Sequence, residues 1–271
     1  MTLSALGGVN KQRLAENYET TVYLCDDAST DGTSESVRQH YPDTVLINGS
    51  GALFWGGGMR KAWELAAIED YDFYIWLNDD VLITDDCFQT LLTTYSEASQ
   101  SGMNVSAVVG CCEDSCGRLS YGGVNLHGSW YNPRMKMVGP EKNSLIEVDT
   151  MTGNIVLISR QTYQEHGMIC ERYAHLIGDT DYGLRITAGG GNVIICDDYL
   201  GACETNDLLA WKDATVPLMK RLSEIVSKKG LPLRPWSYFC FSHFGVIGGF
   251  VLMAKPYIGC IFPKIWKREN Q

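Results

Sequence analysis

Proline is scarce in this chain of 271 residues, with 8 against 28 glycines, and no low-complexity tract or internal repeat interrupts it. With 45% hydrophobic and 20% charged side chains, that composition excludes disorder, collagen and coiled coil. No unbroken apolar run reaches the roughly 20 residues that a membrane span needs. The nearest, Phe244 to Ala254, contains three glycines and stops at Lys255-Pro256, so it is read as too short to cross a bilayer. A secretory signal is lacking, and the cysteines lack framework spacing: Cys25, Cys170, Cys196, Cys240 and Cys260 sit singly in mostly apolar stretches. A reduced, cytoplasmic chain is the expectation. Cys111, Cys112 and Cys116 cluster without CxxC spacing, and only His127 is near them. Buried free thiols are therefore expected over a zinc site.

Basic charge is also short. The 22 Lys/Arg against 32 Asp/Glu leave a net charge of -10, which argues against a nucleic-acid partner. The deficit is uneven. From Lys212 onward there are 10 basic and 3 acidic side chains, a net of +7, which leaves -17 on residues 1–211. We read one main α/β domain over residues 1–211 and a basic, aromatic, helical appendage over residues 212–271.

Short β-type runs alternate with helical ones, a pattern that predicts a mainly parallel, Rossmann-like sheet flanked by helices. Strands are expected at Thr21 to Cys25, Val45 to Ile47, Phe73 to Leu77, Ser106 to Cys111, Ile155 to Ile158 and Asn192 to Cys196. Helices are expected at Met59 to Ile68, Phe88 to Ala98, Gln161 to His166 and Asp181 to Ala188, with hairpins or long loops from Arg118 to Val148.

Acidic pairs fall where strands stop: Asp26-Asp27, then Asn78-Asp79-Asp80, with a third pair at Asp179 and Asp181. In open α/β sheets the ligand crevice lies at the carboxyl ends of the strands. Clustered carboxylates suit Mg²⁺ or Mn²⁺, which keep waters and share their shell with phosphates. A single Asp at a strand end is as readily a turn or helix cap. The segment Phe54-Trp55-Gly56-Gly57-Gly58-Met59-Arg60-Lys61 puts three glycines before a helix with two cations in its first turn. Such glycines let amides approach a diphosphate, although the spacing is neither GxGxxG nor a P-loop, and a flexible turn is the plainer reading.

The joint order of Leu24-Cys25-Asp26-Asp27-Ala28-Ser29-Thr30-Asp31-Gly32-Thr33, Trp76-Leu77-Asn78-Asp79-Asp80, Gly153-Asn154-Ile155-Val156-Leu157-Ile158 and Gly178-Asp179-Thr180-Asp181-Tyr182-Gly183-Leu184-Arg185 resembles family 2 glycosyltransferases of the GT-A fold. It looks most like the bacterial branch that builds polysaccharide or O-antigen chains, rhamnosyltransferases included. The resemblance implies that Asp26 and Asp27 hold the nucleoside of a nucleotide-sugar donor, and that Asp80 with Asp79 binds Mg²⁺ or Mn²⁺. It places Asn78-Asp79-Asp80 at the family's DxD position, with Asp79 helping to hold the ribose or the metal; Asn78, and from the glycine-rich segment Gly57, Gly58 and Arg60, are further candidates for the donor. Asp179 matches the family's catalytic base, with Asp181 the alternative because Gly178 replaces the expected Glu. Where many relatives carry a metal-binding His, this chain has Ala202-Cys203-Glu204.

The implied reaction is an inverting single displacement: a cation stabilises the departing diphosphate, and a carboxylate takes the proton of a glycan or lipid-linked acceptor. Members of the family usually start with a strand and a polar turn, whereas Met1 here leads straight into helix-like Thr2-Leu3-Ser4-Ala5-Leu6. A missing first strand and a truncated or misassigned start are expected. Aromatics interleaved with Lys228, Lys229, Arg234, Lys255, Lys264, Lys267 and Arg268 suit contact with the inner membrane surface or packing on the main domain. Tyr121 to Arg134, with Trp130, is expected to shape the acceptor side. Two other readings stay open: a degenerate, non-catalytic nucleotide-sugar or carbohydrate binder, favoured by Gly178 and the missing strand, and a nucleotidyltransferase, which would usually carry a basic Gly-rich first turn.

Overall fold

The computed structural model of the chain describes residues 1–205 and 210–263. In chain order the elements are α1 (Thr2–Asn10), β1 (Tyr23–Asp26), α2 (Thr33–His40), β2 (Val45–Asn48), α3 (Phe54–Ala66), β3 (Phe73–Leu77), β4 (Leu82–Ile83), α4 (Cys87–Gln100), β5 (Val105–Glu113), β6 (Leu119–Tyr121) and β7 (Gly123–Ser129). They continue with β8 (Asn132–Val138), β9 (Ile146–Val148), β10 (Thr150–Met151), β11 (Ile155–Ser159), α5 (Arg160–His166), α6 (Gly178–Ala188), β12 (Asn192–Ala202), α7 (Leu218–Ile225) and α8 (Leu233–Ile261).

The central sheet runs β3-β11-β5-β12-β4, with β6 beside β5 and β9 beside β12. Its register is fixed by pairs such as Val156 with Val109 and Trp76, and Ile158 with Ala107 and Tyr74. Period-2 alternation then splits the strands between two cores. Val156, Ile158, Trp76, Val109 and Ile195 face Trp63 of α3 and Tyr182 and Ile186 of α6. Ile155, Leu157, Val108 and Ile194 face Phe88, Leu91 and Leu92 of α4. Because both faces are covered, β5 and β11 read as continuous apolar runs rather than alternating ones.

The expectation of a mainly parallel sheet is corrected in its pairings. β5 with β12 and β1 with β2 are parallel, while β3 with β11, β11 with β5 and β12 with β4 are antiparallel. The cause is the segment before β11, which holds the hairpin β7–β8 instead of a crossover helix, so β11 enters from the opposite end. β1 and β2 form a separate two-stranded sheet.

The glycine-rich segment is also corrected. Phe54 to Gly58 is the first part of α3, not a turn ahead of it, and all three glycines are buried. Close packing explains two of them: a Cβ on Gly56 would run into the Tyr173 carbonyl oxygen, and one on Gly57 would meet Leu53 at 3.1 Å.

The C-terminal part packs on the main body. Tyr173 and Leu184 share a core with Ile225, Leu231, Trp236, Phe239 and Cys260. By length and composition alone Leu233–Ile261 is apolar enough to cross a membrane, so the run there is longer than the sequence reading allowed. Gly245, at φ 65° and ψ -167°, breaks it into two arms. The arms fold back: Trp236 Nε1 donates to the Met253 carbonyl at 3.2 Å, and a Cβ on Gly249 would lie 2.7 Å from the Cys240 carbonyl oxygen. Lys264, Trp266, Lys267 and Arg268 lie outside the described residues. All ten cysteines are free, with Cys111 and Cys112 buried and Cys116 exposed.

Gly56→Ala is expected to cost about 2 kcal/mol by overpacking against rigid backbone, lowering Tm by roughly 4–8 °C. Gly58→Ala, whose Cβ would meet Cys25 at 4.0 Å, should leave Tm close to that of the parent chain in the same calorimetric scan.

Candidate active site

Four strand ends and the start of α6 converge. At the end of β3, the Asn78 backbone N–H donates to the Asn154 carbonyl (3.0 Å), and Asn78 Oδ1 accepts from Trp55 Nε1 (2.7 Å). Next to Asn154, the Gly153 N–H donates to Asp179 Oδ2 (2.8 Å). A Cβ on Gly153 would collide with the Trp55 ring and meet Asp179 Cβ at 3.1 Å, so only glycine lets these three groups close up. Asp179, Gly153, Asn154, Asn78 and Trp55 thus form one continuous wall.

Asp179 sits in the first turn of α6. Its Oδ1 also accepts the Thr180 N–H at 2.7 Å. Burial pushes its carboxyl above the ordinary carboxylate value, only partly opposed by these two amides. The helix starts from Ile177 at φ 65°. A β-branched residue is strained in the left-handed region, and such strain persists where packing over-determines it.

Asp181, two residues on, is buried and fully engaged. Its Oδ1 accepts from the Tyr173 hydroxyl (3.1 Å) and His243 Nε2 (2.9 Å), and its Oδ2 accepts from Arg185 Nε (3.0 Å). Burial pushes this carboxyl up, but the His243 hydrogen bond and the Arg185 guanidinium outweigh it and hold it below the ordinary range. The two aspartates are therefore driven apart in proton affinity. Asp179 is raised beside the strand ends, while Asp181 is neutralised behind it.

Asp79 and Asp80 are exposed at the carboxyl end of β3. The Thr2 hydroxyl donates to Asp79 Oδ2 at 2.7 Å. Burial and the neighbouring Asp79 charge push the Asp80 carboxyl up, while the Cys203 thiol at the end of β12 hydrogen-bonds to it and lowers it. The late position that carries no His thus adjoins Asp80 through a thiol. Among the described residues no cluster of three or more His, Cys, Asp or Glu is placed to hold a metal. The donor set at Asp79 and Asp80 is still that of a hard divalent cation taking the rest of its shell from diphosphate and water.

The other acidic pair does the work of caps. Asp27 accepts the N–H groups of Gly51 (2.7 Å), Leu53 (2.8 Å) and Phe54 (3.0 Å), tying β1 to the start of α3. Asp26 accepts the Ser29 N–H at 2.9 Å and the Ser34 hydroxyl. Gly57 and Gly58 lie inside α3, and the Gly57 N–H is spent on the Leu53 carbonyl (3.2 Å). Arg60 reaches the Cys170 carbonyl at 3.4 Å. Asn78 and Asp179 are thus brought together, with Asp79 and Asp80 following Asn78 at the same strand end, while Asp26, Asp27, Gly57, Gly58 and Arg60 support the loops around them.

His243 and His175 carry no signal in the sequence, and Lys228 and Lys229 stand out there only as cations of the basic C-terminal part. His243 lies 62 residues from Asp181 in sequence. His175 is half-buried, its Nδ1 has no hydrogen-bond partner, and burial together with Lys229 holds it below the ordinary imidazole value. Lys228 Nζ sits 5.4 Å above the Phe54 ring. Lys228 and Lys229 therefore face this rim.

A family model described as glycosyl transferase family 2 matches residues 3–167. Among solved structures the fold is similar to S. aureus TarS 1-349 in complex with UDP-GlcNAc, with TM-score 0.54, 12% identity and coverage of 89% of this chain and 69% of that one. It is also similar to GalNAc-T7 with UDP, GalNAc and Mn²⁺, with TM-score 0.54, 12% identity and coverage of 93% and 50%. A longer S. aureus TarS chain matches at TM-score 0.53 and 12% identity over 88% of this chain and 40% of its own length. This chain therefore spans less than half of that relative. No curated protein matches the sequence.

The two aspartates have opposite pH signatures. Asp181, held low, contributes stability that is complete above its unfolded value of about pH 4 and lost as pH falls through its folded value. Asp181→Asn is expected to cost about 3 kcal/mol at pH 7 and to flatten the acid limb of a Tm-versus-pH curve. Asp179, held high, loses stability as pH rises through its folded value. Asp179→Asn should raise Tm at pH 7 but leave it unchanged at pH 3; a fall at pH 7 would contradict the burial assignment.

Proposed function

The chain belongs to glycosyl transferase family 2, and we propose that it moves a sugar from a nucleoside-diphosphate donor to a hydroxyl of a glycan or lipid-linked acceptor. The observation that carries this reading is Asp179. It is a carboxylate with raised proton affinity, held by Gly153 and Thr180 amides beside the Asn78 strand end.

Asp179 is the proposed general base. As the acceptor oxygen bonds to the anomeric carbon, its proton passes to Asp179 and the old C–O electron pair leaves with the diphosphate. One base and no covalent intermediate give inversion of configuration. The raised pKa brings a carboxylate closer to the operating pH, where a general base is most effective. Gly153 and Trp55 keep Asp179 from turning away. Asp80 and Asp79 are the proposed holders of Mg²⁺ or Mn²⁺, which when bound stabilises charge on the departing diphosphate. Lys228, Lys229 and His175, which gather around Phe54, are proposed to face that same charge. The solved neighbours bound to UDP, to UDP-GlcNAc, or to UDP with GalNAc and Mn²⁺ support a nucleotide-sugar donor. A hexosyl or rhamnosyl unit for a cell-surface polysaccharide, assembled on the cytoplasmic side of the membrane, is the specificity the motif order favours.

A second reading is a non-catalytic binder of the same fold. It is favoured by Thr2 on Asp79, by Gly178, and by the caps that occupy Asp26 and Asp27.

A thermal-shift screen of nucleotide sugars with Mn²⁺ should find one donor that raises Tm. Asp80→Ala should lose that metal-dependent shift. Asp179→Asn should keep the shift and lose turnover by roughly 10³-fold, in line with a lost general base. Donor binding without turnover in the parent chain would favour the binder reading.

The appendage is a proposed contact with anionic lipid, since Val246, Ile247 and Phe250 are exposed at its bend. In liposome flotation the full chain should float with anionic vesicles, and a Val246→Asp/Phe250→Asp variant should stay in the dense fraction.

A further inference from the structure

Four charged side chains are buried among the described residues: Asp26, Asp114, Asp181 and Arg221. The three carboxylates are each met by donors. Asp26 accepts from Ser29 and Ser34, Asp114 accepts from the Cys116 and Arg118 amides and from Arg118 Nε, and Asp181 accepts from Tyr173, Arg185 and His243. Arg221 is the exception. It is 7% exposed, and its Nε and Nη1 are buried with no hydrogen-bond partner.

A buried carboxyl or amine can escape its charge by taking up or losing a proton, but a guanidinium keeps its proton at any working pH. Its charge has to be answered by a partner. Buried donors left in this state mark a place where a polar group belongs.

The surroundings select the sign of that group. α7 opens on Pro217 without a side-chain cap and has no acidic residue in its first turn, where Lys220 precedes Arg221. The short turn Ala210–Lys212 packs on α7 and brings the half-buried Lys212, whose ammonium is pushed down by burial. Asp213 is already engaged: it accepts the N–H and the hydroxyl of Thr215 at 2.8 Å each, and Arg221 is the weakest of the pulls that lower its carboxyl. Cys260 of α8, which also feels Arg221, is a buried thiol that burial keeps protonated, so it supplies no countercharge. Access is provided by Leu218, Met219 and Lys220, all exposed, so the first turn of α7 meets solvent.

We propose that Arg221, with Lys220 and the first turn of α7, binds a phosphate-type oxyanion. The planar fork of a guanidinium matches two oxygens of such a group, and the uncapped amides of a helix start favour the same charge. Free phosphate and the headgroup of an anionic lipid offer this chemistry alike. The inference stands on one buried charge and is independent of the glycosyl-transfer reading.

The probe is inorganic phosphate in a thermal scan at fixed ionic strength, with chloride as the balancing salt. At saturating phosphate the parent chain should gain about 3 °C in Tm over chloride. Arg221→Met keeps much of the aliphatic stem, drops the fork and should lose that gain. A Lys228→Ala/Lys229→Ala variant should retain it, which separates this site from the rim around Phe54. A parallel arm uses monomeric short-chain phosphatidic acid set against the matching diacylglycerol. A gain there that exceeds the one with inorganic phosphate assigns the lipid headgroup as the source, and a gain with inorganic phosphate alone assigns a free anion; either supports the site. If Arg221→Met fails to fold, Arg221→Lys, which keeps the charge but not the paired donors, should show a smaller gain than the parent. No gain from either probe in the parent overturns the proposal. So does a gain that persists undiminished in Arg221→Met or Arg221→Lys, or one that vanishes in the Lys228→Ala/Lys229→Ala variant.

Discussion

A carboxylate taken out of water must be neutralised where it lies, and at Asp181 that requirement organises much of the molecule. Three donors from three segments answer it: Tyr173 from the loop before α6, Arg185 one helical turn on, and His243 from α8. Arg185 is itself shared, since it also donates to the carbonyls of Met168 and His166. One buried charge thus fixes the start of α6, the loop from α5 and the first arm of the C-terminal hairpin. Removing any partner of such a group leaves an uncompensated charge, which is why the arrangement is all-or-none.

The position of Asp179 follows from this. With Asp181 pinned behind it, α6 can begin only where Ile177 accepts a strained left-handed backbone, and that start aims Asp179 at Gly153. The two carboxylates lie two residues apart yet are pushed in opposite directions, one by burial against few donors, the other by a cation and a histidine. Pairs of titratable groups separated in this way are the usual mark of an acid–base site.

Charge divides along the same lines. The acidic body contains carboxylates that already act as caps, Asp26 and Asp27, and others exposed at a strand end, Asp79 and Asp80. The basic C-terminal part is not uniformly outward-facing, because Lys228 and Lys229 reach the rim formed by Phe54 and His175.

The sequence by itself determined the local elements, because hydrophobic period and strand-end chemistry are encoded within a few residues. Phe73–Leu77 is a strand as expected, and Gln161 to His166 is a helix capped by Ser159. The order of acidic motifs, with the resemblance it carried, pointed to the α/β architecture and to Asn78, Asp79, Asp80 and Asp179 at one end of the sheet. Only the tertiary structure decided the rest. Strand direction was illegible because the helix or hairpin that sets it lies in the connection, so β11 proved antiparallel to both neighbours. Three glycines that suggested an anion-binding turn lie inside α3, and two of them, Gly56 and Gly57, are close-packing positions, since what a glycine is for depends on which atoms lie against it. His243, Cys203 and the two lysines at the rim come from far along the chain. Contacts at long sequence separation leave no periodic trace in the residues that make them.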